Sequence, residues 1–411
     1  MNSKKGALLF AQSGGPTAVI NSSASGVFLT ALKNENITAI YAAEHGIRGV
    51  LEEALININK EDITELERLK TTPSSAIGSV RYKLKDIDVD DSDYLRLLEV
   101  FKKYDIKYFL YNGGNDSMDT ANKIANFMKD HGHDVCVVGV PKTIDNDLAG
   151  TDHCPGFGSA AKYIATTVAE LALDLKVYDT GIVCIIEVMG RNAGWLTGAA
   201  ALAKNAGFGA DLIYMPEKAF SLEQFVSDVK NVLQNNNNKC IVVVSEGIRY
   251  ANGDLVGDFK TAVNDGFNHA QLGGVSDMLK EMVKDIFKVK VRAIEFSLLQ
   301  RCASHIASKR DVEEAFICGQ KAVELATQGV SGVMVAMKRC DGDEYAVEYV
   351  TVPLTTVANT EKTVPENWIN EEGNYVTQEM VDYIMPLIYG ESSPAFENGL
   401  PVFAKLKKEK V

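Results

Sequence analysis

One alternation constrains this chain more than anything else. Short apolar runs at residues 7–12, 37–42, 107–111, 135–140, 181–188, 211–215 and 240–245 are separated by longer stretches with helical spacing, at 19–33, 117–129, 158–177, 191–203, 222–234 and 312–327. A strand that is apolar on both faces must be covered on both, and strand–helix alternation sets such strands side by side in parallel. The expected fold is α/β, with mostly parallel sheets. Several runs end in glycine or polar residues, and doubly wound sheets bind ligands at that end. At 411 residues the chain exceeds one ordinary domain. No internal repeat is evident. The Asn235–Asn238 run reads as a solvated turn, and residues 405–410 as a frayed tail.

Composition removes several function classes. The net charge of -13 repels polyanions, so nucleic acid is not an expected partner. Seven scattered cysteines form no C-x-x-C pair, which points to thiols in a reducing compartment. Six histidines show no zinc-ligand spacing. The basic start and the short apolar run after it are too brief for a signal peptide, and no stretch is long enough to span a membrane. A cytoplasmic protein without a membrane partner is expected.

The motifs sit where the strands end. Ser13-Gly14-Gly15-Pro16 follows the first strand, and paired glycines let backbone N–H groups approach an anion ahead of a helix N-terminus. A simple strand-to-helix turn would look the same. Asn112-Gly113-Gly114-Asn115-Asp116-Ser117 repeats the arrangement with polar side chains suited to phosphate and a nearby metal, or to a helix cap. Pro141-Lys142-Thr143-Ile144-Asp145-Asn146-Asp147 places two carboxylates beside a lysine. One carboxylate can take a hydroxyl proton while the lysine neutralises phosphate charge. In Glu187-Val188-Met189-Gly190-Arg191-Asn192, Arg191 falls at a strand-to-helix junction, a good place to grip phosphate. Ser245-Glu246-Gly247 and the pair Arg292 and Arg301 are weak signals alone.

In this order, with Gly78-Ser79-Val80-Arg81 between the first two, the motifs resemble those of the phosphofructokinase family over roughly residues 7–336. The resemblance implies two Rossmann-like domains, with chain segments exchanged between them late in the sequence and the active site in the cleft. The expected division is residues 1–155 with 302–340 for the phosphoryl donor, and 156–301 with 341–411 for the sugar phosphate. It implies donor contacts from Gly14, Gly15, Arg81, Asn115 and Ser117. Asp145 would be the general base, with Lys142, Asp116 and Asp147 beside it. Thr143 and Asp145 would meet the reacting hydroxyl, and Met189, Gly190, Arg191, Glu246, Arg292 and Arg301 would hold the sugar phosphate. Mg2+ would bind at Asn115 and Asp116. Arg292 would come from a neighbouring subunit, giving a homodimer or homotetramer with shared sites. Phosphoryl transfer built from positioning and charge neutralisation agrees with the unaided reading of the motifs.

Departures from the family pattern refine the expectation. Asn115 stands where ATP-using relatives carry the metal-site aspartate, and Asp116 where they carry a glycine that leaves room for a nucleotide's α-phosphate. Lys142 replaces another of their glycines. A carboxylate at 116 opposes ATP, and an extra cation at 142 suits pyrophosphate. Ile182 and Leu298 leave the 6-phosphate pocket with fewer polar groups. The expected reaction is phosphoryl transfer from pyrophosphate to the 1-hydroxyl of fructose 6-phosphate, in glycolysis and gluconeogenesis. An ATP-dependent kinase, or a silent sugar-phosphate-binding regulatory subunit, stands as the alternative.

Overall fold

The computed structural model describes residues 5–257, 274–342 and 344–411. The basic start of the chain, residues 1–4, lies outside them. The fold is α/β and divides into two compact units.

The first unit takes the chain up to Ser159 together with Arg301–Glu361 and Tyr389–Val411. Its seven-stranded sheet runs, edge to edge, Val347–Pro353, Val333–Arg339, Cys136–Pro141, Ile106–Gly113, Gly6–Gln12, Ile37–Ala43 and Leu55–Asn57. The five inner strands are parallel and the two outer ones antiparallel. Gly6–Gln12 is buried along its whole length, as a strand covered on both faces requires. Its outward residues Leu9 and Ala11 enter one apolar core and Leu8 and Phe10 the other. On the second face, helices Ile20–Ala31 and Lys309–Thr327 meet backbone to backbone. A Cβ at Gly26 would lie 2.0 Å from the Phe316 carbonyl oxygen, and one at Gly319 2.1 Å from that of Ser23, so only glycine fits at either crossing point.

The second unit takes Ala160–Gln300 and Lys362–Ile388. Its four-stranded parallel sheet has the order Leu212–Tyr214, Lys239–Ser245, Ile182–Val188, Lys290–Glu295. Helices Leu222–Asn235 and Val275–Phe287 bury Phe225, Val229, Leu279 and Val283 against one face.

Three expectations change. The units are cut differently from the expected domains. Val347–Pro353 pairs with Val333–Arg339 in the large sheet, so the stretch after residue 340 returns first to the first unit, and only Lys362–Ile388 joins the second. Arg301 opens a segment of the first unit rather than closing the second. The tail at 405–410 is docked, not frayed. Glu61 accepts from the backbone N–H groups of Lys407 and Lys408 (both 2.7 Å), Glu65 accepts from that of Lys405 (2.7 Å), and Asn57 donates to the Glu409 carbonyl (2.8 Å). These partners are more than 300 positions away in sequence, beyond any local pattern. Finally, the helix expected at 191–203 begins at Trp195 and tightens to a 3-10 helix at Ala200–Ala206, because Gly190 and Gly194 are used in the preceding turn. No helix among the described residues is long and apolar enough to cross a membrane.

Candidate functional site

In the first unit the motifs converge at the C-terminal ends of three adjacent strands. Ser13 N donates to the Asn112 carbonyl (2.9 Å) and Lys142 N to the Gly113 carbonyl (3.2 Å), which laces the three turns side by side. The Gly78–Arg81 stretch is tied to the first of them. Gly14 N donates to the Val80 carbonyl (3.1 Å) and Ser79 Oγ to the Gly14 carbonyl (2.6 Å), and this sets Arg81 at the turn with its side chain exposed. Gly14 has φ +77°, a backbone that disfavours any side chain. A Cβ at Gly15 would lie 2.9 Å from Arg301 Nη1.

Lys142 lies under this turn. It is 3% exposed, and its ammonium donates to the Gly15 carbonyl (2.7 Å). Burial lowers its pKa to about 8, opposed by the carboxylates of Asp145 and Asp147 and reinforced by the guanidinium groups of Arg301 and Arg81. Three cations and two carboxylates therefore share one electrostatic environment. Arg301, grouped in sequence with Arg292, lies instead with the glycine turn.

The loop after Lys142 carries both carboxylates. Asp145 N donates to Thr143 Oγ1 (3.1 Å), and Asn146 takes the left-handed φ of +56°. Asp147 Oδ1 is buried without a hydrogen-bond partner. Burial raises the Asp147 pKa, Glu361 adds to this, and hydrogen bonds from Asn115 and Thr143 oppose it. Helix Asn115–Asp130 begins two residues earlier than the sequence suggests. Asn115 is half-buried and donates to the Thr360 carbonyl (3.1 Å); Asp116 is an exposed first-turn residue; Ser117 is buried, and a Cβ at Gly113 would lie 2.0 Å from its Oγ.

The remaining residues belong to the second unit, and all but Arg292 gather at the ends of its two central strands. Glu246 N donates to the Val188 carbonyl (3.0 Å), and Ser245 Oγ donates to that of Gly190 (2.7 Å). Gly247 has room for no side chain, since a Cβ would lie 1.9 Å from the Arg191 carbonyl oxygen. Met189 N donates to Gln300 Oε1 (3.3 Å). A cleft of about 60 Å³ is lined by Glu187, Val188, Met189, Glu246, Glu295 and Ser297. Burial raises the pKa values of Glu187 and Glu246. Arg191 is exposed, and so is Arg292, on the edge strand Lys290–Glu295. Sequence reasoning did not assign Glu187 or Glu295. Glu187 stood inside a motif, but nothing in the sequence marks the convergence of its strand with that of Glu295.

Among the described residues no group of three or more His, Cys, Asp or Glu is arranged to hold a metal ion. Mg2+ commonly takes one or two carboxylates and completes its shell with water and substrate phosphates. The unpartnered buried oxygen of Asp147, beside the Asn115 amide, fits such a partial shell.

In class, then, this is a two-unit α/β protein whose glycine turns are backed by a buried cation and a pair of carboxylates. A family model described as phosphofructokinase matches residues 7–326. The chain belongs to the phosphofructokinase family. It is 44% identical to the pyrophosphate–fructose 6-phosphate 1-phosphotransferase of Halomonas elongata, over 98% of this chain and 96% of that protein. With the protein of the same name from Xanthomonas campestris the identity is 45%, over 98% and 96%. A solved pyrophosphate-dependent phosphofructokinase from Marinobacter aquaeolei matches with a TM-score of 0.88 at 41% identity, covering 99% of this chain and 97% of that one.

Proposed function

We propose that this chain transfers a phosphoryl group from pyrophosphate to the 1-hydroxyl of fructose 6-phosphate, giving fructose 1,6-bisphosphate and phosphate. The reaction is reversible and serves glycolysis and gluconeogenesis. The observation that carries the donor assignment is Lys142. A buried ammonium hydrogen-bonded to the Gly15 carbonyl, in the field of Arg81 and Arg301, suits a small, highly charged donor that has no adenosine to anchor it.

Asp145 takes the proton of the 1-hydroxyl, whose oxygen attacks the nearer phosphorus. The bond from that phosphorus to the bridging oxygen breaks, and phosphate leaves. Gly14, Gly15, Arg81, Ser117 and Lys142 hold the donor and neutralise the charge that builds on it. Thr143 orients the loop of Asp145 through its hydroxyl. Met189, Gly190, Arg191, Glu246, Arg292 and Arg301 bind the sugar phosphate. Asn115, with Asp116 and Asp147, would hold Mg2+, which would offset the charge of the donor's phosphates.

The enzyme is a homodimer or homotetramer with shared sites. The exposed edge-strand position of Arg292 supports this, since an edge strand leaves a cation free to serve a second copy. A reducing cytoplasm suits the seven cysteines, which are scattered and form no C-x-x-C pair.

One coupled assay tests the proposal: fructose 6-phosphate with Mg2+ and either pyrophosphate or ATP. Turnover with pyrophosphate and none above background with ATP is expected. The reverse would make the chain an ATP-dependent kinase. Silence with both, alongside sugar-phosphate binding, would make it a regulatory subunit.

A further inference from the structure

Behind the loop of Asp145 lies a buried charge network that the transfer itself does not touch. His153 is 1% exposed. Its Nδ1 lies 2.9 Å from Asp152 Oδ1 and its Nε2 2.7 Å from Glu314 Oε2. An ionised carboxylate only accepts hydrogen bonds, so a ring paired with carboxylates on both nitrogens donates from both and is an imidazolium. The surrounding charges match this state. Arg339 donates to Asp152 (2.9 Å), and Tyr345 OH donates to Glu314 Oε1 (2.7 Å). Arg310 stacks over the Tyr345 ring at 4.1 Å. Asp311, on the same helix as Glu314, is saturated by Gly156 N and Ser159 N (2.8 Å each). Cys318 and Tyr349 stay neutral, because burial raises both pKa values. Two cations thus face two carboxylates across His153 and Arg339.

The network is tied to the loop by short links. His153 sits on its return limb, where Asp152 N donates to the Met337 carbonyl (2.8 Å) and Cys154 N to Asn146 Oδ1 (2.9 Å). Thr143 N donates to the Pro155 carbonyl (3.2 Å), and Thr143 pairs with Gly156 in a parallel bridge. Asp145 lies between Thr143 and Asn146, so both of its anchors close onto the limb that His153 holds.

We propose that His153 is a positioning residue for phosphoryl transfer: clamped between Asp152 and Glu314, it fixes the limb against which the loop presenting Asp145 is set. The proposal rests on Asp145 being the base. Burial alone pulls the imidazole pKa down; the two carboxylates outweigh it, and the net shift is upward. Burial likewise raises the Asp152 pKa, and His153 and Arg339 outweigh that and lower it. A raised histidine pKa gives a clamp that is whole below the ordinary imidazole value and is lost as pH rises through the folded value. Loss of the proton leaves a buried carboxylate without its donor, and the loop shifts. Turnover should therefore fall on the alkaline side.

Two measurements test this on the full-length enzyme. In 15N-histidine-labelled protein, the His153 signals are those absent from His153→Gln. At the ordinary imidazole value, about pH 6.5, where a free ring is half protonated, both ring nitrogens should be predominantly protonated. A neutral ring there overturns the proposal whatever the variants do. In the kinetic arm, His153→Gln should lose about 10- to 100-fold in kcat, with both KM values within about threefold, and should lose only the His153 part of the alkaline fall, the part owed to Lys142 with its pKa of about 8 remaining. Wild-type kcat and pH profile in this variant, while Asp145→Ser is slow, overturns the positioning role alone. Undiminished turnover in Asp145→Ser overturns the base assignment on which it rests.

Discussion

The two units treat charge in opposite ways. In the first, the cation at the glycine turns is buried and bonded to backbone, and its neighbours are carboxylates held by a laced loop. In the second, the guanidinium groups of Arg191 and Arg292 are exposed, and the small cleft beside Met189 is walled by carboxylates, of which Glu187 and Glu246 have their pKa values raised by burial. Electrostatic interactions grow as water is excluded, so a preorganised dry cation is worth most where charge develops during reaction. Carboxylates at a cleft accept from hydroxyl groups, which suits recognition of a sugar. On the proposed function, this contrast goes with chemistry in the first unit and recognition chiefly in the second.

The largest test of that division is Asp145→Ser. Removing a positioned general base should lower kcat by about two to four orders of magnitude, with the KM for fructose 6-phosphate little changed. Steady-state kinetics with pyrophosphate as donor reads both numbers. A variant that binds sugar poorly but turns over normally when saturated would place recognition in the first unit and dissolve the contrast.

Glu246→Gln probes the other side and should have a smaller effect. It keeps the shape and one acceptor but loses the charge-assisted hydrogen bond, so the KM for fructose 6-phosphate should rise about tenfold while kcat stays within a few-fold. The initial-rate dependence on sugar at saturating pyrophosphate measures it. An equal fall in kcat would mean that Glu246 acts in the transition state, and the second unit would then share the chemistry.

The same contrast explains what was legible in the sequence. Apolar runs disclosed four of the five inner strands of the large sheet, all but Val333–Arg339, because each is covered on both faces, and the glycine-rich turns announced their own ends. The motif at 141–147 disclosed Lys142, Asp145 and Asp147 together because all three lie within seven residues. What stayed hidden depends on contacts distant in sequence. Arg301 reads like a partner of Arg292 yet belongs beside Gly15, and nothing within nine residues of it says so. Glu187 and Glu295 meet only because their strands pair. Val347–Pro353 carries the strand-forming Val347, Tyr349, Val350 and Val352, but none of its residues is fully buried and it pairs antiparallel at the sheet edge, outside the strand–helix alternation. The tail around Lys407 looks like solvated charge until Glu61 is brought to its backbone.

The smallest expected effect concerns Asp116, where the first unit meets its donor. Its carboxylate is exposed in the first turn of Asn115–Asp130, and the N-cap position belongs to Gly114, with no side-chain cap bond. A negative charge there favours the helix through its dipole, and glycine would weaken the turn, so Asp116→Gly should lower the thermal midpoint by a few degrees. That cost follows from helix physics alone and says nothing about the donor. The donor argument adds a second expectation. On the proposed reading, Asp116 stands where ATP-using relatives carry a glycine that leaves room for a nucleotide's α-phosphate. Removing it takes away both bulk and like charge, so ATP should become a measurable donor while pyrophosphate turnover stays within about tenfold of wild type. Lys142 remains in this variant, so preference for pyrophosphate should persist. Differential scanning fluorimetry and parallel assays with the two donors separate the effects. A lower midpoint with ATP still unused would leave Asp116 a helix-terminus residue only, and would move discrimination between donors onto Lys142 and the cations around it.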